Sequence, residues 1–206
     1  MWRVVYVPIL VACVTVASLA QAPPNAQGPQ NSDLSILVGP VFGATMASAT
    51  SGVAVRVTGT FVFQSSFGHT VHSFSFADLW LEFPVTTAVR ESDTVGGGIS
   101  TIDYNESFVT PGVRMNFPVR PRFSVYAAMG GGYANFEAYQ NNSDGGRNRI
   151  QYTYHGVFEF GGGADFRLTR LLSLRADLRD FVTGRGLGGV DGRNHVLASF
   201  GVAGHF

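Results

Sequence analysis

The sequence contains no lysine; all 14 basic residues are arginine, and 14 acidic residues match them. Zero net charge with dispersed arginines offers no polyanion-binding patch, so no nucleic-acid partner is expected. Charged residues make up only 14% of the chain, against about 25% in ordinary soluble domains. Cysteine is nearly absent. The single one, Cys13, lies near the N-terminus, so the remainder has no disulfide framework, thiol nucleophile or cysteine metal site. No convincing amphipathic helix follows the N-terminal segment. Gly184-Arg185-Gly186-Leu187-Gly188-Gly189 fits a G-x-G-x-x-G pattern, but no helix begins after it to supply phosphate-binding amides. Asp144-Gly145-Gly146 has too few neighbouring carboxylates for a calcium loop. No metal or cofactor is therefore expected.

What is present begins with "MWRVVYVPILVACVTVASLA", one positive charge followed by 17 apolar or small residues. That length is at the short limit for a membrane span, and Ser18-Leu19-Ala20 suits a signal peptidase. Residues 1–20 are read as a secretory signal peptide cleaved after Ala20. Cleavage after Ala22, or lipidation at Cys13 in the lipobox-like Leu10–Cys13, is the alternative. "QAPPNAQGPQNS", residues 21–32, reads as a flexible linker. Residues 33–206 remain as one domain.

That domain alternates in twos between turn-rich stretches, the mark of β-strands with two different surroundings. Eight strands are expected: Asp33–Thr45, Val53–Gln64, Val71–Arg90, Glu106–Phe117, Arg122–Phe136, Gln151–Leu168, Leu171–Thr183 and Asn194–Phe206. In the third, Phe74 and Phe76 lie on one parity and Leu79, Leu81 and Phe83 on the other, so a bulge is expected near Ala77. Connections around Val119 and Thr169 are short. Those at 91–105, 138–150 and 184–193 are longer, polar and glycine-rich.

The two faces of each strand differ sharply. In Leu171–Thr183, Ser173, Arg175, Asp177 and Arg179 oppose Leu172, Leu174, Ala176 and Leu178. A soluble sandwich would bury the apolar face. Three features favour the inverse, with apolar residues facing lipid. The polar faces are glycine-rich, as a crowded small-barrel lumen requires. Aromatics gather in two groups, Phe117, Phe123, Phe166 and Phe206 at one rim and Tyr133, Tyr152 and Tyr154 at the other, like girdles at a bilayer's boundaries. The chain also ends on an alternating strand, and closure onto the first strand would remove both edges.

With this signal segment, the eight alternating segments, "ADLWLEFPV" (Ala77–Val85), "TPGVRMNF" (Thr110–Phe117) and the terminal Phe206, the chain resembles the small outer-membrane β-barrels of the OmpA/OmpX-like superfamily. The resemblance implies an all-β fold, an eight-stranded antiparallel transmembrane up-and-down barrel, in a bacterial outer membrane. It implies outer-membrane lipid as surroundings. It also implies that Phe206 is read by the outer-membrane assembly machinery.

The expected function is structural or interaction-related, with an extracellular ligand engaging the three long loops. A narrow pore for small solutes and a lipid A-modifying enzyme are the alternatives. None of the five histidines sits in a His-x-Ser-Asn pattern. His155 and Glu159 share a face but lie about 13 Å apart along a strand, so no catalytic residue is assigned. The inward charges Arg56, Asp78, Glu82, Arg114, Glu159, Asp165, Arg167, Arg175, Asp177 and Arg179 should form a crossing network, five against five, because buried charges are costly unless paired. A three-residue turn from Thr169 to Leu171 sets Asp165 opposite Arg175 and Arg167 opposite Ser173. Shifting the register by two places Asp165 opposite Ser173 or Asp177, and loses the attraction.

Overall fold

The computed structural model describes residues 30–40, 45–47, 54–58, 61–95, 101–141, 147–185 and 191–206. The expected signal peptide and most of the linker lie outside them. Eleven strand segments run through these residues: β1 (Ser32–Gly39), β2 (Thr45–Ala47), β3 (Ala54–Thr58), β4 (Phe61–Ser73), β5 (Asp78–Val95), β6 (Thr101–Val109), β7 (Gly112–Arg120), β8 (Phe123–Asn141), β9 (Arg147–Arg167), β10 (Leu172–Arg185) and β11 (Asp191–His205). They make eight walls, because β1 with β2, β3 with β4, and β6 with β7 are successive pieces of single walls. All pairings are antiparallel, and β1 closes the ring between β4 and β11.

The last residue is held in the sheet. Phe206 donates its backbone N–H to the Ser32 carbonyl at 2.9 Å, and Ser32 donates to the Phe206 carbonyl at 3.0 Å. Closure thereby satisfies a backbone edge that would otherwise be unpaired.

Alternation places apolar side chains outside. Phe200 is 63% exposed and Leu178 is 53%, while Arg114 and Phe108 inside are each 0%. A continuous apolar exterior of this kind is unfavourable in water and suited to hydrocarbon. Phe123 lies across from Phe166, and the Phe67 and Phe206 rings are 6.4 Å apart, near the short turns. Tyr154 contacts Tyr133 at 6.5 Å and Tyr152 at 4.9 Å toward the other end. Between β9 and β10 the observed register pairs Arg175 with Asp165 and Ser173 with Arg167, as the charge pattern predicts.

Two boundary expectations are corrected. The second and third walls meet at Phe74–Ala77, where Phe74 N–H donates to the Ala77 carbonyl at 2.8 Å. Residues 65–70 belong to β4, although Ser65, Ser66 and Gly68 suggest a connection. The parity change between Phe76 and Leu79 is thus a chain reversal. The bulge sits instead in β4 between Thr70 and His72. The long connections are also shorter than expected, since β5 reaches Val95, β6 starts at Thr101, and β8 through β11 extend likewise. Segments 96–100, 142–146 and 186–190 lie outside the described residues. At roughly 3.3 Å per residue the 21-residue β9 is about 70 Å long, whereas a tilted strand crosses a bilayer in about 9–11 residues. Its polar end therefore stands clear of the hydrocarbon, which is why it resembles a loop in sequence.

Candidate functional site: a filled lumen

Inward positions from all eight walls converge on one ionic layer. Alternation turns Asp33, Glu82, Arg114, Glu159, Asp165, Arg175, Asp177 and Arg179 to the same side of their strands and buries each of them. Glycine makes room for the layer. A Cβ on Gly163 would collide with the Tyr126 side chain and the Ala176 carbonyl, so the tyrosine ring can lie inside only because Gly163 has none.

Three guanidiniums organise the layer. Arg114 bridges Asp33 at 2.5 Å and Glu82 at 3.4 Å. Arg175 reaches the same Asp33 oxygen at 2.7 Å and forks onto Asp165 through Nε at 2.7 Å and Nη2 at 2.8 Å. Arg179 donates to both oxygens of Glu82 at 3.0 Å, to Asp177 at 2.8 Å, and to Glu159. Such forked, charge-assisted bonds are the strong ones. Neutral donors complete the carboxylate shells: Ser66 to Glu82 at 2.8 Å, Gln64 to Asp177 at 3.0 Å, and Thr110 to Glu159. Ser199 on β11 then donates to Gln64 at 3.3 Å. The Tyr126 ring sits 5.5 Å from the Arg114 guanidinium and 5.4 Å from that of Arg175, and Trp80 lies 4.8 Å from Arg114. These cation–π contacts add attraction without adding charge.

Above this layer, toward the long strand ends, the lumen turns apolar. Val62, Phe108, Ala134, Phe136, Val157, Phe181 and Leu197 form a buried cluster. Phe108 stacks on Phe181 at 4.5 Å and meets Phe136 edge-on at 6.1 Å. His195 Nδ1 lies 3.0 Å from Glu106 beside these rings.

The expected network is thus only partly the one observed. Glu82, Arg114, Glu159, Asp165, Arg175, Asp177 and Arg179 are brought together. Asp78 and Arg167 are not joined to it; they line a cavity of about 200 Å³ at the short-turn mouth. They occupy the last inward positions before the turns, where Arg167 is exposed and Asp78 half-buried. The Arg56 side chain lies outside the described ones. Asp33 was missed because it abuts the linker, although it opens an alternating run. Within the layer five carboxylates, Asp33, Glu82, Glu159, Asp165 and Asp177, meet three guanidiniums, so the balance is not five against five. The aromatic cluster was missed too, although Phe108 and Phe181 share the parity of Arg114 and Arg179. Ser173 Oγ is 2.8 Å from His205 Nε2 at the same mouth, a serine–histidine contact that neither residue's local sequence announces. The Asp33 carboxylate, on the residue paired with His205, is engaged by Arg114 and Arg175.

A closed antiparallel barrel with lipid-compatible walls and a charged interior defines the class: a small transmembrane barrel of the outer-membrane type. No protein-family model matches the sequence, and no curated protein matches it. Among solved structures the chain is similar to Neisserial surface protein A, with a TM-score of 0.56 at 12% identity over 87% of this chain and 100% of that one. It is also similar to a major outer membrane protein from Thermus thermophilus, with a TM-score of 0.52 at 13% identity over 85% and 99%. At such identities the likeness shows the fold.

Proposed function

We propose that the protein is an exported outer-membrane barrel whose lumen is sealed and whose role is structural or interaction-based, exercised at the long-strand end. The observation that carries this reading is the ionic layer, to which every wall contributes, lying beneath an aromatic one. A pore needs a continuous wet path, and both layers occupy that path. The exposed apolar belt supports insertion in lipid. Export by residues 1–20 and recognition of Phe206 by the assembly machinery belong to the same proposal, as does ligand contact through the segments around 96–100, 142–146 and 186–190. The folded protein in a planar bilayer is expected to show no steady current; a large, ion-selective conductance would overturn the sealed lumen.

One observation favours a second reading, hydrolysis. The Ser173–His205 contact has the distance of a nucleophile–base pair. Covalent labelling of Ser173 by a fluorophosphonate would establish that reading and displace the structural one. Absence of labelling is the expected result.

A further inference from the structure

The short-turn mouth carries a cation cluster that the sealed-lumen reading does not use. Arg122, in the turn before β8, and Arg167, the last residue of β9, are backbone neighbours, with Arg167 N–H donating to the Arg122 carbonyl at 2.8 Å. Arg120 lines the same cavity of about 200 Å³. Among the described residues, none of the three has an ion-pair partner. The lining carboxylate of Asp165 is already forked by Arg175. Asp78 is half-buried on β5, the wall next to that of Arg120, and unpaired among the described residues. Two further lining residues hold buried polar atoms without a hydrogen-bond partner, Trp80 Nε1 and Asn116 Oδ1.

Three arginines without ion-pair partners lining one cavity of this size, with an unpaired indole N–H, together describe an anion site. Guanidinium forks match tetrahedral oxyanions bidentately. We infer that the short-turn mouth binds a phosphate-type oxyanion, free or carried by a lipid headgroup, through Arg120, Arg122 and Arg167. This inference does not depend on the lumen being sealed, so failure of either leaves the other standing.

Trp80 forms part of the cavity wall and reports on it directly. With Trp2→Phe, the full chain keeps Trp80 as its sole tryptophan. Folded in phosphatidylcholine nanodiscs, it is titrated with inorganic phosphate and, separately, prepared with phosphatidic acid in the bilayer. A saturable change in Trp80 emission with free phosphate assigns a soluble ligand. A change only with phosphatidic acid assigns a headgroup. Arg122→Gln with Arg167→Gln should weaken either response roughly ten- to hundredfold, since each loses charge-assisted bonds. That double variant changes only exposed side chains, so its heat-modifiable gel migration should remain that of a folded barrel. Arg120→Gln alone is the second variant, with a smaller loss expected. No response in either arm, or one unchanged in the folded double variant, would overturn the site.

Discussion

Arg179 and Phe181 are two residues apart on β10 and point into the same lumen, yet different physics holds them. Arg179 is fixed by direction: its nitrogens meet Asp177, Glu159 and both oxygens of Glu82. Phe181 is fixed by volume, stacked at 4.5 Å on Phe108 within a cluster of apolar neighbours. The ionic layer therefore depends on which atoms are present, and the aromatic layer on how much space they fill. A directional layer ties strands into one register. A volume layer closes the lumen and tolerates exchange.

The largest break should come from Arg179→Met. It keeps an unbranched apolar stem but removes the guanidinium that three carboxylates share, a change that costs about 3–5 kcal/mol for buried pairs. Urea unfolding of the detergent-folded protein measures it. A loss as small as that of an ordinary surface substitution would mean that the carboxylates are not held by Arg179.

A smaller effect sharpens the same comparison at the layer's edge. Asp165 and Arg175 are direct cross-strand partners joined by two bonds, and Arg175 keeps Asp33 as a second partner. A double-mutant cycle with Asp165→Asn and Arg175→Met should give a coupling of about 1.5–3 kcal/mol, the range for hydrogen bonds to charged groups. Additive losses would show that the pair does not hold the register in solution.

That pair was legible in the sequence, because the register of the three-residue turn opposes Asp165 to Arg175, whereas a shift by two either way sets Asp165 against Ser173 or Asp177. Wall number, face assignment and closure by the terminal strand were legible as well, since alternation records them directly. The β4–β5 reversal was not. A turn and a bulge both switch parity, and Ser65, Ser66 and Gly68 serve inside a wall as readily as in a turn. Strand ends were obscured because a wall standing in water loses the apolar half of its pattern. The mouth was least legible: Arg122 and Arg167 are 45 positions apart, and only the sheet register makes them neighbours.

The smallest expected effect tests the volume layer. Phe181→Leu retains an apolar side chain at a fully buried position and removes the stacking on Phe108. Hydrophobic swaps that roughly conserve volume cost less than about 1.5 kcal/mol, and an aromatic pair contributes about 0.5–1.5 kcal/mol beyond its area. Leucine is smaller than phenylalanine, but Phe136, Val157 and Leu197 belong to the same cluster and carry no hydrogen bonds that would prevent their side chains from relaxing. The substitution should therefore lower the urea midpoint slightly and leave the conductance at zero, because the ionic layer beneath is untouched. A loss matching that of Arg179→Met would erase the distinction, and would mean that Phe181 is held as strictly as the arginine two residues before it.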